Sequence, residues 1–208
     1  MAEAGCLRDA NFQNLQAQQI MLGNNSLRVA GFVSLNSGAT AAVTVPATSL
    51  TANSVHIIGG DGAAAGAAAG GAVSVTLPSG TAVPNVGDFY TFLIGAKSIN
   101  TGHRIILGDT TNDKLVGGLQ YIRVPNTGEI VGAAQNAVYI TPNQSTTTDH
   151  RIVLDADLDN SGGVEGTWIT FTYIGTPWTT NGSEHTWYIS GQVISDDVDG
   201  DGTAVFIA

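Results

Sequence analysis

Thr167-Trp168-Ile169-Thr170-Phe171-Thr172-Tyr173-Ile174 alternates bulky apolar side chains with hydroxyls. Successive side chains of a strand point to opposite faces. Ile169, Phe171 and Tyr173 therefore share one face, and Thr170 and Thr172 the other. The same period of two recurs along the chain. Val73, Val75 and Leu77 alternate with Ser74 and Thr76, and the run stops at Pro78-Ser79-Gly80, a turn cluster. Residues 186–194 put Trp187, Ile189 and Val193 on one face. Phe89–Ile94 is apolar on both faces, which predicts a central strand or one covered on both sides. Further strands are expected at 104–107, 119–124, Val138–Ile140, Arg151–Leu154 and 204–207. Turn residues separate them and no long helical pattern appears, so the chain reads as all-β. A β-sandwich and a small, jelly-roll-like β-barrel fit this text equally, with an N-terminal extended arm.

The arm is residues 1–30. Phe12, Leu15 and Gln19 or Ile20 fall at near-helical spacing, which allows one or two helical turns before extended chain at 27–35. Residues 59–72 contain no side chain larger than Ala except Asp61. Such a run cannot build a core and alone would be a flexible loop, so contacts within an assembly are expected to hold it. The chain thus divides into an arm with the first strands (1–55), a Gly/Ala-rich loop (56–72) and a β domain (73–208). One internal echo stands out: His103-Arg104-Ile105-Ile106-Leu107 returns as His150-Arg151-Ile152-Val153-Leu154. Two copies fit two equivalent strands of one sandwich or an old duplication.

Composition narrows the function. The 208 residues carry 7 Lys and Arg against 17 Asp and Glu, a net charge of −10. Phosphate contacts need basic side chains, so neither nucleic acid nor an anionic membrane is an expected partner. Residues 1–148 hold 7 acids and 6 bases, whereas residues 149–208 hold 10 acids and Arg151 alone. Nearly all the imbalance lies in the last segment. A single cysteine, Cys6, excludes an internal disulfide. Ala4-Gly5-Cys6 looks like the end of a lipoprotein signal, but Glu3 and the lack of an apolar run before it argue against one. Synthesis in a cytoplasm is the expectation.

The acidic segment holds two candidate calcium loops. Asp157, Asp159 and Ser161 take the first, third and fifth positions of one, and Asp197, Asp199 and Asp201 those of the other. Calcium takes six to eight oxygens, and the full loop closes with a bidentate Glu at position twelve. Trp168 and Ala208 stand there instead, and Glu165 is the substitute in the first loop. A solvated turn uses the same residue types. The four histidines show no metal-ligand spacing, and His103 and His150 sit at strand starts with an ordinary hydrogen-bonding or surface role. No nucleophile elbow, paired carboxylates outside turns, or phosphate loop appears, so no catalysis is expected. Trp168, Trp178 and Trp187 fall in the C-terminal part with Phe171, Tyr173 and Tyr188, for which a sugar-binding platform is one reading. Trp168 and Trp187 lie in alternating strands and read as core. Trp178, between Pro177 and two threonines, reads as an exposed ligand contact.

Three stretches carry a resemblance. They are Gly87-Asp88-Phe89-Tyr90-Thr91-Phe92-Leu93-Ile94, then 101–107, then Asp113-Lys114-Leu115-Val116-Gly117-Gly118. Together with the ending at 186–191, Gly202-Thr203 and Phe206, they resemble small β-rich virion proteins of tailed bacteriophages. Phe12-Gln13-Asn14-Leu15 resembles the opening of head and fibre proteins of marine phages. The likeness covers residues 70–208 and the arm, and departs at 196–201. It implies a non-catalytic capsid decoration (cement) protein in the virion. Its implied partners are the major capsid protein and sister copies, as a trimer. Phe12, Leu15, Ile20, Phe89, Tyr90 and Phe92 are the expected assembly contacts. Two other readings remain open: a head or tail fibre that binds a host surface glycan, and a calcium-stabilised carbohydrate-binding β module.

Overall fold

Each alternating segment buries one of its two faces. In the computed structural model the described residues are 20–22, 25–27, 32–35, 43–58, 72–79, 84–96, 102–123, 138–142, 149–155, 161–176, 185–195 and 205–207. Side chains are described from residue 43 onward. The protein is an all-β sandwich of two mixed sheets, accompanied by a small hairpin of β1 (Ile20–Leu22) and β2 (Asn25–Leu27).

The chain then winds between the sheets. β3 (Phe32–Leu35), β5 (Ser54–Ile58) and β7 (Phe89–Ile94) belong to the large sheet. β4 (Val43–Val45), β6 (Val73–Thr76) and β8 (His103–Ile106) belong to the small one. Consecutive strands alternate between sheets, so neighbours within each sheet run parallel. A parallel pair needs a crossover connection. Here a strand of the opposite sheet supplies it, and each winding buries an apolar face from both layers.

The later strands complete both sheets. β9 (Asp113–Gly117) and β10 (Leu119–Arg123) run parallel to β14 (His185–Ser195). Their register is continuous: Asp113 faces His185, Gly117 faces Ile189 and Arg123 faces Ser195. They form one strand interrupted at Gly117-Gly118. β13 (Trp168–Gly175) lies antiparallel between β7 and β14, and β11 (Val138–Ile140) closes that edge beside β10. In the small sheet β12 (Arg151–Leu154) pairs with β8 and with β15 (Phe206–Ile207). The echoed His-Arg-Ile segments are thus direct antiparallel neighbours: Ile152 faces Ile105 and Val153 faces Arg104.

A single core fills the space between the sheets. The large sheet contributes Phe92, Phe171, Trp187 and Tyr121, and the small one Val75, Ile105, Ile152 and Leu154. Ile169, Phe171 and Tyr173 are buried, as the alternation predicts. Burial of this area is the main force holding the layers together.

Three expectations change. The parallel windings separate this sandwich from a jelly roll, whose strands are antiparallel, and the described strands divide into separate sheets instead of closing a barrel. The boundary expected between residues 55 and 56 falls inside β5, a strand paired on both sides in the large sheet. Trp168, expected in the core, is 42% exposed on the outer face. The helical reading of 11–19 and the Gly/Ala run at 59–71 lie outside the described residues.

Candidate functional site

The first candidate calcium loop begins outside the described residues, at Asp157 and Asp159. Its second half folds as a structural turn. Ser161 is fully buried, and its Oγ accepts from the Asp155 N–H at 3.1 Å and donates to the Asp155 carbonyl at 2.7 Å. Gly163 and Val164 both donate to the Ile194 carbonyl, and Thr167 Oγ1 accepts from the Ile194 N–H. Gly163 sits at φ 106°, and a β-carbon there would stand 2.7 Å from Leu154 Cβ, so both the conformation and the space oppose a side chain. The Ser161 hydroxyl thus has its proton and one lone pair engaged by the main chain. Glu165 is exposed. Among the described residues no group of three His, Cys, Asp or Glu is placed to hold a metal. Asp197, Asp199 and Asp201 lie outside the described residues, as do Trp178, Phe12 and Leu15. Ser161→Ala is expected to cost about 1–2 kcal/mol, the loss of two buried hydrogen bonds. Urea unfolding in calcium and in chelator should show the same loss; a loss confined to the calcium arm would restore a metal role.

The assembly contacts also redistribute. Tyr90 and Phe92 are 4% and 1% exposed and point into the core, so they hold the sandwich together and offer nothing to a partner. Tyr90 meets the Trp187 ring edge-on at 5.9 Å, and Phe92 meets Phe171 at 5.7 Å. Phe89 lies on the opposite, half-exposed face. Ile20 opens β1, opposite Leu27.

Two buried histidines are structural. His103 Nδ1 accepts from the Val73 N–H at 3.1 Å, and its Nε2 lies 2.9 Å from the Ala96 carbonyl. This pair of bonds fits the neutral ring with hydrogen on Nε2. Burial lowers the pKa of His103, and of His56, whose Nε2 accepts from the Thr51 N–H.

At the other end of the large sheet, Asp113, His185 and Tyr173 gather beside Asp109. Tyr173 Oη is 2.7 Å from His185 Nδ1. Asp113 is 1% exposed; its Oδ2 accepts from the Asp109 N–H, and its Oδ1 is buried without a partner. Burial pushes the Asp113 carboxyl up to about 6, against the opposing pull of the Asp109 N–H and the His185 ring. Asp109, partly exposed just before the turn, is held low by Asn112 and by the N–H groups of Thr111 and Asn112. The cluster contains an acid tuned near neutrality, yet Asp113 is closed to any solute, so its consequence is for stability.

The feature that residue spacing alone did not single out is the outer face of the large sheet. Directly paired residues share a face, so Ile57, Leu93, Trp168, Gln192, Gln120 and Tyr139 form one row across six strands. Trp168, Tyr188 and Tyr139 are 42%, 44% and 63% exposed. Among the described residues this face carries a single ionisable group outside the tyrosines, Lys114. The signal in the sequence was the alternation itself, which sets Trp168 with Thr170 and Thr172 on the hydroxyl face.

Comparison with protein-family profiles, with curated proteins and with solved structures returns no match.

Proposed function

We propose that the chain is a non-catalytic structural protein of a bacteriophage virion, binding the outer surface of the capsid and stabilising it as a decoration (cement) protein. The observation that carries this reading is the shared end of the two sheets. β3 and β4 end the large and the small sheet on the side where the windings begin, each with one neighbour among the described residues. An unpaired strand edge is a template for another chain. The arm leads directly into this end, within the near-neutral part of the sequence. A shell or a sister subunit approaches it without the repulsion of the acidic segment. The sequence resemblance to virion proteins points the same way, and a trimer on the capsid is the arrangement it implies.

The test is a comparison of shells with and without the chain. Heating and low salt should release the contents of undecorated shells first, and quantitative mass spectrometry should give copies in the hundreds per particle. Equal stability of the two shells overturns the reading. A few copies per particle would instead favour a head or tail fibre.

A further inference from the structure

We infer that the outer face of the large sheet is a binding platform for an uncharged glycan. Three exposed rings define it. Trp168 and Tyr139 lie in one row, with Gln192 and Gln120 between them. With strands about 4.8 Å apart, three strand steps separate the two rings by roughly 14 Å. Tyr188 is the third ring, on β14, opposite Thr172. This is too wide for one small ligand and suits an extended chain of sugar units lying across the strands.

The tyrosines are held against the sheet surface. A β-carbon added to Gly117 would stand 2.9 Å from Tyr188 Cε2, and one added to Gly118 would stand 2.6 Å from Tyr139 Cζ. The rings thus occupy space left by two successive glycines at the break between β9 and β10. Such contact restrains the rings on their sheet side before any ligand arrives, which lowers the cost of binding. A Tyr or Trp ring held in this way offers broad, rigid, amphipathic contact area. The C–H face of a sugar ring stacks on that surface, and its hydroxyls need neutral donors and acceptors beside it. Gln192, Gln120, Thr170 and Ser190 provide these on the same face. Thr170 is already oriented by its 2.8 Å hydrogen bond to Thr91.

Charge decides which glycan. The protein has a net charge of −10, while the described part of this face carries one ionisable side chain beyond its tyrosines, Lys114. A sulfated, uronic or sialylated sugar would meet long-range repulsion and no basic cluster to offset it. A neutral hexose or N-acetylhexosamine polymer meets neither. This face lies away from the β3/β4 edges, so glycan binding and attachment to a shell can hold or fail separately.

The experiment uses the full chain on an array of neutral and acidic glycans, with sedimentation velocity alongside. Binding to neutral oligosaccharides is expected. Trp168→Ala and Tyr188→Ala should each weaken it by roughly tenfold. Trp168→Tyr should retain most of it. Thermal unfolding should shift only slightly in all three variants, because both rings lie outside the core and are close to half exposed. Binding to no neutral glycan, binding to acidic glycans alone, or binding unaffected by both alanine variants overturns the proposal. So does a dimer that Trp168→Ala dissolves, since that would identify a second copy as the occupant of the face.

Discussion

Trp187→Ala is expected to cost about 3–5 kcal/mol, the range for emptying a fully buried aromatic site. For a chain of this length that lowers Tm by roughly 10 °C or more. The indole is completely buried and lies edge-on to Tyr90 at 5.9 Å and Tyr173 at 5.3 Å. These rings come from β14, β7 and β13, so one side chain joins the centre of the large sheet. Its Nε1–H is buried with no hydrogen-bond partner. The ring therefore acts as hydrocarbon, and its polar group is an uncompensated cost. Trp187→Phe removes that cost while keeping a ring in the site and leaving a smaller cavity, so its loss should be well below that of alanine. Chemical unfolding with a common denaturant slope reads both variants. If Phe costs as much as Ala, the indole is valued for a hydrogen bond and not for its area.

The strand text was legible because burial of one face writes a period of two. Phe89–Ile94, Val138–Ile140 and Arg151–Leu154 were read at the bounds the structure shows. β1, β2, β4, β5 and β9 were not read as strands, and for β5 and β9 the cause is the same. Their inward positions include polar side chains: Ser54 and His56 in β5, and Asp113 in β9, each 2% exposed or less. An inward His or Asp breaks the apolar alternation that marks a strand. Strand direction was not legible at all. Alternation states which side chains share a face but not which strand lies beside it, so the parallel winding of β3 to β8 had no local signature. The platform was legible in part. Trp168 belongs by parity to the hydroxyl face, but its place in an alternating strand was read as core without regard to which face it takes. Tyr139 became part of the row only through its pairing with Gln120, a contact between segments far apart in sequence.

Asp113→Asn is expected to stabilise the protein at neutral pH, by up to about 3 kcal/mol. Burial raises the folded-state pKa from 3.8 to about 6. Between those values the folded state binds a proton that the unfolded state releases. Stability from this group is therefore fully present below pH 3.8 and is lost as pH rises through 6. Above pH 6 the fold carries a buried carboxylate whose Oδ1 has no partner. The groups around it are Asp109, His185 and Tyr173; the Asp109 N–H and the His185 ring favour the charge, and burial outweighs both. Asparagine keeps an oxygen for the Asp109 N–H and never ionises, so it is free of this loss. His56 and His103 act in the opposite sense. Their pKa values are lowered from 6.5 by burial, so their contribution is complete above 6.5 and falls as pH drops below it. Both histidines are present in wild type and variant, and their effect cancels in the difference. The measurement is the gap in unfolding free energy between Asp113→Asn and wild type at pH 4.5, 6 and 7.5. The gap should widen steadily with pH and level off above about 7. A gap that is constant across this range would show that Asp113 does not titrate in the folded protein near 6.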